Sequence, residues 1–445
     1  MSTLPLASQT RAASAPRIVT SALAGCAALA ATGGSAMAQE PTVQDLLRRI
    51  EAQDQRIDAL TNSSVKTAAR YEVAYDKGYT IRSADKTSPF DLRINGRMQF
   101  RYSGFAPDDN SATGATSGFE IERGRLEFRG TFLDSGTHFY INMDADTDDN
   151  HHVVFQDFWI NHDFSEDFSL YVGKAFVPGS REWIAGSTTT HLIDRSMSTT
   201  FFRPDRTIGI WAIGKFTSNW HYRVLVGNGV RTSDLKPSQI DTDPVYSGTT
   251  WWDALGKFGS GFADLEQHEE LALRVGASVT YAKEEDGQLA SNGEASFLHL
   301  SDGRQLTSDL GADSYNFKLG AADAALKFQG LAINCEAYWR EVDAIRTPGN
   351  VNARRSYFDW GGYCDVGYML LPKCLEVVGR VSTVQGFNDS WEYAGGINWY
   401  VNGGHTNKLS FDATKLDGSP VSNSSPNFRI GDDGWLVRLQ WQIAF

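Results

Sequence analysis

The stretch FDLRINGRMQFRY, residues 90–102, decides the fold, because its apolar side chains recur with a period of two. Leu92, Ile94, Met98, Phe100 and Tyr102 share one face, while Arg93, Asn95, Arg97, Gln99 and Arg101 share the other. Successive side chains of a strand point to opposite sides of its sheet. One apolar face and one arginine-rich face suit two environments at once, lipid outside and water inside. A soluble sandwich would ordinarily mix charges on its wet face. The last segment, WLVRLQWQIAF at 435–445, repeats the pattern: Trp435, Val437, Leu439, Trp441, Ile443 and Phe445 alternate with Leu436, Arg438, Gln440, Gln442 and Ala444.

Composition supports the same class. The 445 residues are 41% apolar and 21% charged, which excludes a fully disordered chain. Mean hydropathy is −0.34 and, past the N-terminus, no stretch approaches the length of a membrane helix, so helical membrane proteins are excluded and β-barrels are not. The formal charge of −13, with no long Lys/Arg run, argues against a nucleic-acid partner.

Residues 1–38 read as a secretory signal. Arg11 and Arg17 supply the basic region, 18–31 is apolar or small, and Ala36-Met37-Ala38 forms a cleavage site. Its removal takes two arginines and moves the charge from −13 to −15. Leu23-Ala24-Gly25-Cys26 offers a rival reading, a lipobox with Cys26 lipidated. Residues 39–70 are expected to form a periplasmic helical or coiled-coil segment and linker. In it Val43, Ile50 and Ile57 fall at one heptad position and Leu46, Gln53 and Leu60 at the other.

Residues 71–445 are expected to form an all-β, transmembrane antiparallel barrel. Alternating segments lie near 118–132, 137–146, 152–163, 167–177, 206–216, 219–229, 270–283, 313–328, 330–342, 356–369, 374–385, 391–401 and 405–416. Both ends of such a barrel sit at the rim with short turns. Counts from the two ends agree only if one more strand lies between 230 and 269, and 247–257 is the candidate. The total is then about sixteen strands, enough to leave an aqueous channel. Residues 71–83 are read as a pre-barrel element.

Four stretches give the chain a family likeness: FDLRINGRMQFRY (90–102); YVGKAFVPGSREWIAG (171–186) with IDRSM (193–197) and RPDRTIGI (203–210); WGGYCDVGYMLLPK (360–373); and YAGGINWYVNGGHTNKLSF (393–411). The chain resembles the phosphate-selective porin O/P family of Gram-negative outer membranes. The resemblance implies a trimeric, sixteen-stranded outer-membrane barrel that passes small anions such as phosphate, pyrophosphate or polyphosphate. It also implies a loop folded inward between the fifth and sixth strands, here 178–204, and a terminal aromatic, Phe445, that serves as assembly signal. Lipid and lipopolysaccharide are the implied surroundings.

An anion channel needs donors that replace water around an oxyanion without trapping it, and guanidinium does so. Arg93, Arg97 and Arg101 lie on one strand, and Arg123, Arg125 and Arg129 share one face of the next, with Glu127 in the row. These six are the expected anion pathway. Lumen salt bridges are the alternative for them. The inward loop adds Arg181, His191, Arg195 and Arg203, with Arg206 just after it, beside Thr188, Thr189 and Thr190. Lys174 and Arg438 are further candidates. Glu122 before Arg123, with Asp144, Asp146 and Asp157, departs from a purely basic wall, so sugars or carboxylates remain alternative solutes.

No enzyme, cofactor or metal site is expected; an outer-membrane barrel enzyme is the less favoured alternative to a porin. There is no Gly-rich phosphate loop and no GxSxG elbow. The run 144–149 begins like a calcium loop but has Asp149 where Gly is needed and Phe155 where Glu is needed. It reads as an external acidic loop, with divalent bridging to lipopolysaccharide as the alternative. His151, His152 and His162 lack a further ligand at metal spacing. Of Cys335, Cys364 and Cys374, the expected pair is Cys364 with Cys374, across a turn, although spacing alone does not fix it.

Overall fold

The computed structural model describes residues 42–67, 71–75, 78–84, 88–108, 114–147, 152–285, 293–350, 352–423 and 428–445. The signal segment, Cys26, Asp148, Asp149 and His151 lie outside them. The chain divides into two units, residues 1–68 and 69–445. The described part of the first is one helix, α1 (Val43–Thr67), longer than the heptad pattern predicts. Val43, Leu47, Ile50 and Ile57 are exposed on it. Among the described residues, no helix is long and apolar enough to cross a membrane.

The second unit opens with a hairpin, β1 (Tyr71–Tyr75) and β2 (Tyr79–Ser83), whose second strand pairs with the start of β3 (Asp91–Pro107). There follow β4 (Thr116–Thr131), β5 (Thr137–Asp144), β6 (Val154–Ser165), β7 (Phe168–Phe176), β8 (Arg206–Thr217), β9 (Trp220–Gly227) and β10 (Val245–Leu255). Then come β11 (Ala272–Glu285), β12 (Ser314–Phe328), β13 (Leu331–Arg346), β14 (Tyr357–Leu371), β15 (Leu375–Gln385), β16 (Ser390–Tyr400), β17 (Asn407–Asp417) and β18 (Gly434–Ala444). Each pairs antiparallel with the next, and β18 returns to β3 from Gly434↔Pro107 to Ala444↔Arg97, closing a sixteen-stranded barrel. The strand required by counting is β10. Closure leaves the wall no unpaired edge.

Phe445 completes the seam. Its N–H donates to the Gly96 carbonyl at 2.9 Å and its carbonyl accepts from the Gly96 N–H at 3.1 Å. Gly96 is required there: an added Cβ would lie 2.3 Å from the Phe445 ring.

Polarity is inverted relative to a soluble protein. Met98, Phe100, Tyr102, Val437, Leu439 and Trp441 are exposed on the outer face, while Gln99, Arg101, Ser103, Arg438, Gln440 and Gln442 are buried within. The register shift between Gln99 and Phe100 adds one residue to β4, so that both Glu120 and Arg123 reach inner-face partners on β3.

Two features of the interior depart from a simple water-filled tube. Between β7 and β8 the chain enters the barrel and forms α2 (Arg181–Ile184) and α3 (Met197–Phe202). Ser180 and Ser196 cap them by accepting from Trp183 N and Thr199 N. Met197, Phe201 and Phe202 pack with Tyr338, Phe317 and Tyr363 of the wall, and with Leu298, Leu300 and Leu306 of the β11–β12 loop. Burial of each large side chain contributes about 1.5–3 kcal/mol, so the loop is a packed part of the barrel. The second feature is the β10–β11 connection, at the rim where short turns are expected. It is long and folds inward, burying Phe258, Phe262 and Ala263. Phe262 N donates to Thr189 O at 3.3 Å, joining the two inward loops.

The disulfide joins Cys335 to Cys364, correcting the expected Cys364–Cys374 pair. Cys335 and Cys364 are direct cross-strand partners on β13 and β14, whereas Cys364 faces Val381 on β15 and Cys374 lies in the turn. Non-reducing alkylation followed by peptide mapping should label Cys374 and recover the 335 and 364 peptides linked; label on Cys364 would contradict the pairing.

Candidate functional site

The inward loop is bound to one half of the wall by charge. Arg380 on β15 contacts Glu182 at 3.2 Å, Asp365 at 3.5 Å and Glu392 at 3.6 Å, and donates to Asp194 O at 3.0 Å. Asp194 contacts Arg101 at 2.9 Å and Arg438 at 2.8 Å, and lies 3.6 Å from Arg123. Burial opposes ionisation of Asp194, but Arg101, Arg438 and Arg123 hold its carboxyl well below the ordinary range. Arg181 stands against Asn334, Asp323 and Phe262. His191 is fully buried, 2.8 Å from Asp365 and 3.4 Å from Glu376. Burial works against its protonation, yet those carboxylates raise its pKa overall. Arg181 and His191 therefore face the wall.

The loop's other side bounds an open passage of about 700 Å³ against the β3–β8 wall and the connection after β9. Eight basic and seven acidic residues line it, so charge balance alone does not define its preference. What separates the basic residues is the nature of their partners. Arg97 lies 3.5 Å from Glu127, Arg123 2.9 Å from Glu122, and Arg125 2.6 Å from Asp144. Arg206 is 3.1 Å from Asp157, Lys174 2.6 Å from Asp234, and Arg203 3.6 Å from Asp205. Each of those charges is wholly or partly cancelled.

Arg195 and Arg231 differ: neither makes a carboxylate ion pair among the described residues. Arg195 donates to the carbonyls of Glu182, Trp183 and Ala185, at 3.1, 3.2 and 2.8 Å. Arg231 donates to Arg203 O at 3.3 Å and lies over Phe297. Neutral acceptors orient a guanidinium without cancelling its charge. Burial, together with the charges of Arg123, Arg203 and Arg206, lowers the pKa of Arg195, while Glu182 opposes the shift. Both Asp205 and Arg231 hold φ near +58°, a left-handed conformation that costs a non-glycine residue free energy and recurs at functional sites.

The remaining expected residues lie elsewhere. Arg101 is 1% exposed and bound to Asp194 and Glu122, so it braces the loop. Arg438 does likewise. Arg129 is half-exposed beside Glu127, near the rim that carries Phe445. Arg93 pairs in register with Arg129 at the same end, and has no ion-pair partner among the described residues. Asp144, the first residue of the calcium-like run, is buried against Arg125. His162 hydrogen-bonds Thr137. Asp264, Glu266 and His268 come together in the β10–β11 loop, but Asp264 already accepts from His268 N and Gly330 N.

Sequence reading missed Arg231, Arg380, Asp194 and Trp183. Strand parity places Arg380 inward, since Glu376, Val378 and Ser382 share its face, but cannot name its partners. Asp194 and Trp183 sit in an irregular loop where no periodicity applies.

Residues 92–243 match the family model described as phosphate-selective porin O and P. That stretch contains Arg195, Arg203, Arg206 and Arg231. A search of curated proteins finds no match. Among solved structures, the anion-selective porin from Comamonas acidovorans aligns with a TM-score of 0.56 at 11% identity, covering 80% of this chain and 99% of that one. The outer membrane channel DcaP of Acinetobacter baumannii gives 0.52 at 11% identity, with 81% and 99% covered. A trimer form of OmpT of Vibrio cholerae gives 0.50 at 8% identity, with 80% and 99% covered. At these identities the likeness is one of fold. This chain is therefore a sixteen-stranded barrel with the fold of known porins, and its residues 92–243 match the phosphate-selective porin O and P family model.

Proposed function

We propose that the protein is an outer-membrane porin, a homotrimer of water-filled channels, through which small anions, phosphate-like oxyanions foremost, diffuse passively. The observation that carries this reading is the pair Arg195 and Arg231, full charges held by carbonyls and rings where they line the passage. Arg203 lies between them: its side chain lines the passage and the openings above it. Guanidinium forks match the oxygens of phosphate, and weak, multiple contacts favour passage over trapping. The wall pairs Arg97–Glu127 and Arg125–Asp144 would contribute polarity more than selectivity. The trimer follows by analogy with the porin neighbours, and the outer membrane from the barrel class.

Planar-bilayer recordings under a KCl gradient test the reading. Reversal potentials should show anion preference, and added phosphate should reduce the chloride current. Cation preference without phosphate block would overturn it.

A further inference from the structure

Three guanidiniums in this passage converge on one indole. The Cζ atoms of Arg203, Arg195 and Arg206 lie 4.1, 4.5 and 5.8 Å from the Trp183 ring centroid. Arg206 also lies 3.8 Å over Phe176, whose ring meets Trp183 edge-on at 5.3 Å. Trp183 is only 5% exposed, and its indole N–H has no hydrogen-bond partner among the described residues. A buried orphan donor costs stability, so the ring itself must be what this position requires.

We infer that Trp183 is a positioning residue for the anion pathway: its π-face holds Arg195 and Arg203 side by side in the passage without adding a negative charge, so that Arg195 stays free of a carboxylate ion pair and Arg203 is offset only in part, by Asp205. The inference rests on the anion-pore reading and names what sets its selectivity. Like charges this close repel, and the Arg203–Asp205 contact at 3.6 Å offsets that repulsion only in part. A carboxylate would gather the guanidiniums but remove their net charge. An aromatic face attracts them through its quadrupole and carries no net charge of its own. The α2 cap, Trp183 N donating to Ser180 Oγ at 3.1 Å, fixes the backbone beneath the ring. The Arg195 bonds to the carbonyls of Trp183 and Ala185 fix the cation above it.

The test compares Trp183→Leu with Trp183→Phe in bilayers. Leucine keeps an apolar, buried side chain without the quadrupole; phenylalanine keeps the ring. The anion-to-cation permeability ratio should fall about three- to ten-fold in the leucine variant and stay within about two-fold of wild type in the phenylalanine variant. Single-channel conductance should change little in either. If wild type is anion-selective and the leucine variant keeps the full ratio, or both variants lose it equally, the positioning role is overturned. A wild-type channel without anion preference would instead overturn the pore reading, and the inference with it.

Discussion

Channels carrying alanine at both Arg195 and Arg231 are expected to lose their anion preference. Each guanidinium is half-buried beside the passage and faces only neutral acceptors. At an effective dielectric constant of about 20 and several ångströms' distance, one such charge is worth roughly 1–2 kcal/mol to a passing anion after screening. Losing two should lower the anion-to-cation permeability ratio by at least about ten-fold. Phosphate block should weaken in parallel. Arg129→Ala provides the contrast: its guanidinium is half-exposed and already paired with Glu127, so selectivity should barely move. Reversal potentials in a salt gradient check both. An unchanged ratio in the double variant would place the selective section elsewhere.

Replacing Arg380 with methionine should release the inward loop. The arginine is 1% exposed on its side chain and is the shared cation of Glu182, Asp365 and Glu392. Methionine fills similar space but leaves those carboxylates buried with less cationic compensation. Breaking a buried ion pair from one side costs about 3–5 kcal/mol. The barrel ladder does not depend on Arg380, so the cost should fall on residues 177–205, which it holds to the wall. Single-channel conductance should rise and become noisy, and the loop should become protease-sensitive while the barrel stays heat-modifiable on gels. Adding Glu182→Gln should recover part of the loss, a coupling that a double-mutant cycle measures. Wild-type conductance in Arg380→Met would show that packing of Phe201 and Phe202 alone retains the loop.

The wall was legible because its pattern is local. Each strand must turn apolar residues to lipid and polar ones to water, which imposes a period of two on 90–102 and 435–445. Closure adds a parity rule, and that rule located β10 where the alternation between 230 and 269 was weak. Cys335–Cys364 was not legible. Pairing of cysteines depends on the register of β13 against β14, which is set by all their side chains together.

Alternation along the chain thus settles a closed barrel, its strand number, and which arginines point inward. It does not settle which of them keep their charge. Arg97, Arg123 and Arg125 look alike in sequence to any open pathway, yet Glu127, Glu122 and Asp144 stand beside them. Arg195 and Arg231 come from two separate loops and meet at the passage through Arg203. Side-chain direction in a strand follows from neighbouring residues. The field at a lumen site sums charges from strands and loops far apart in the chain, and it takes shape only when the barrel closes around the loop.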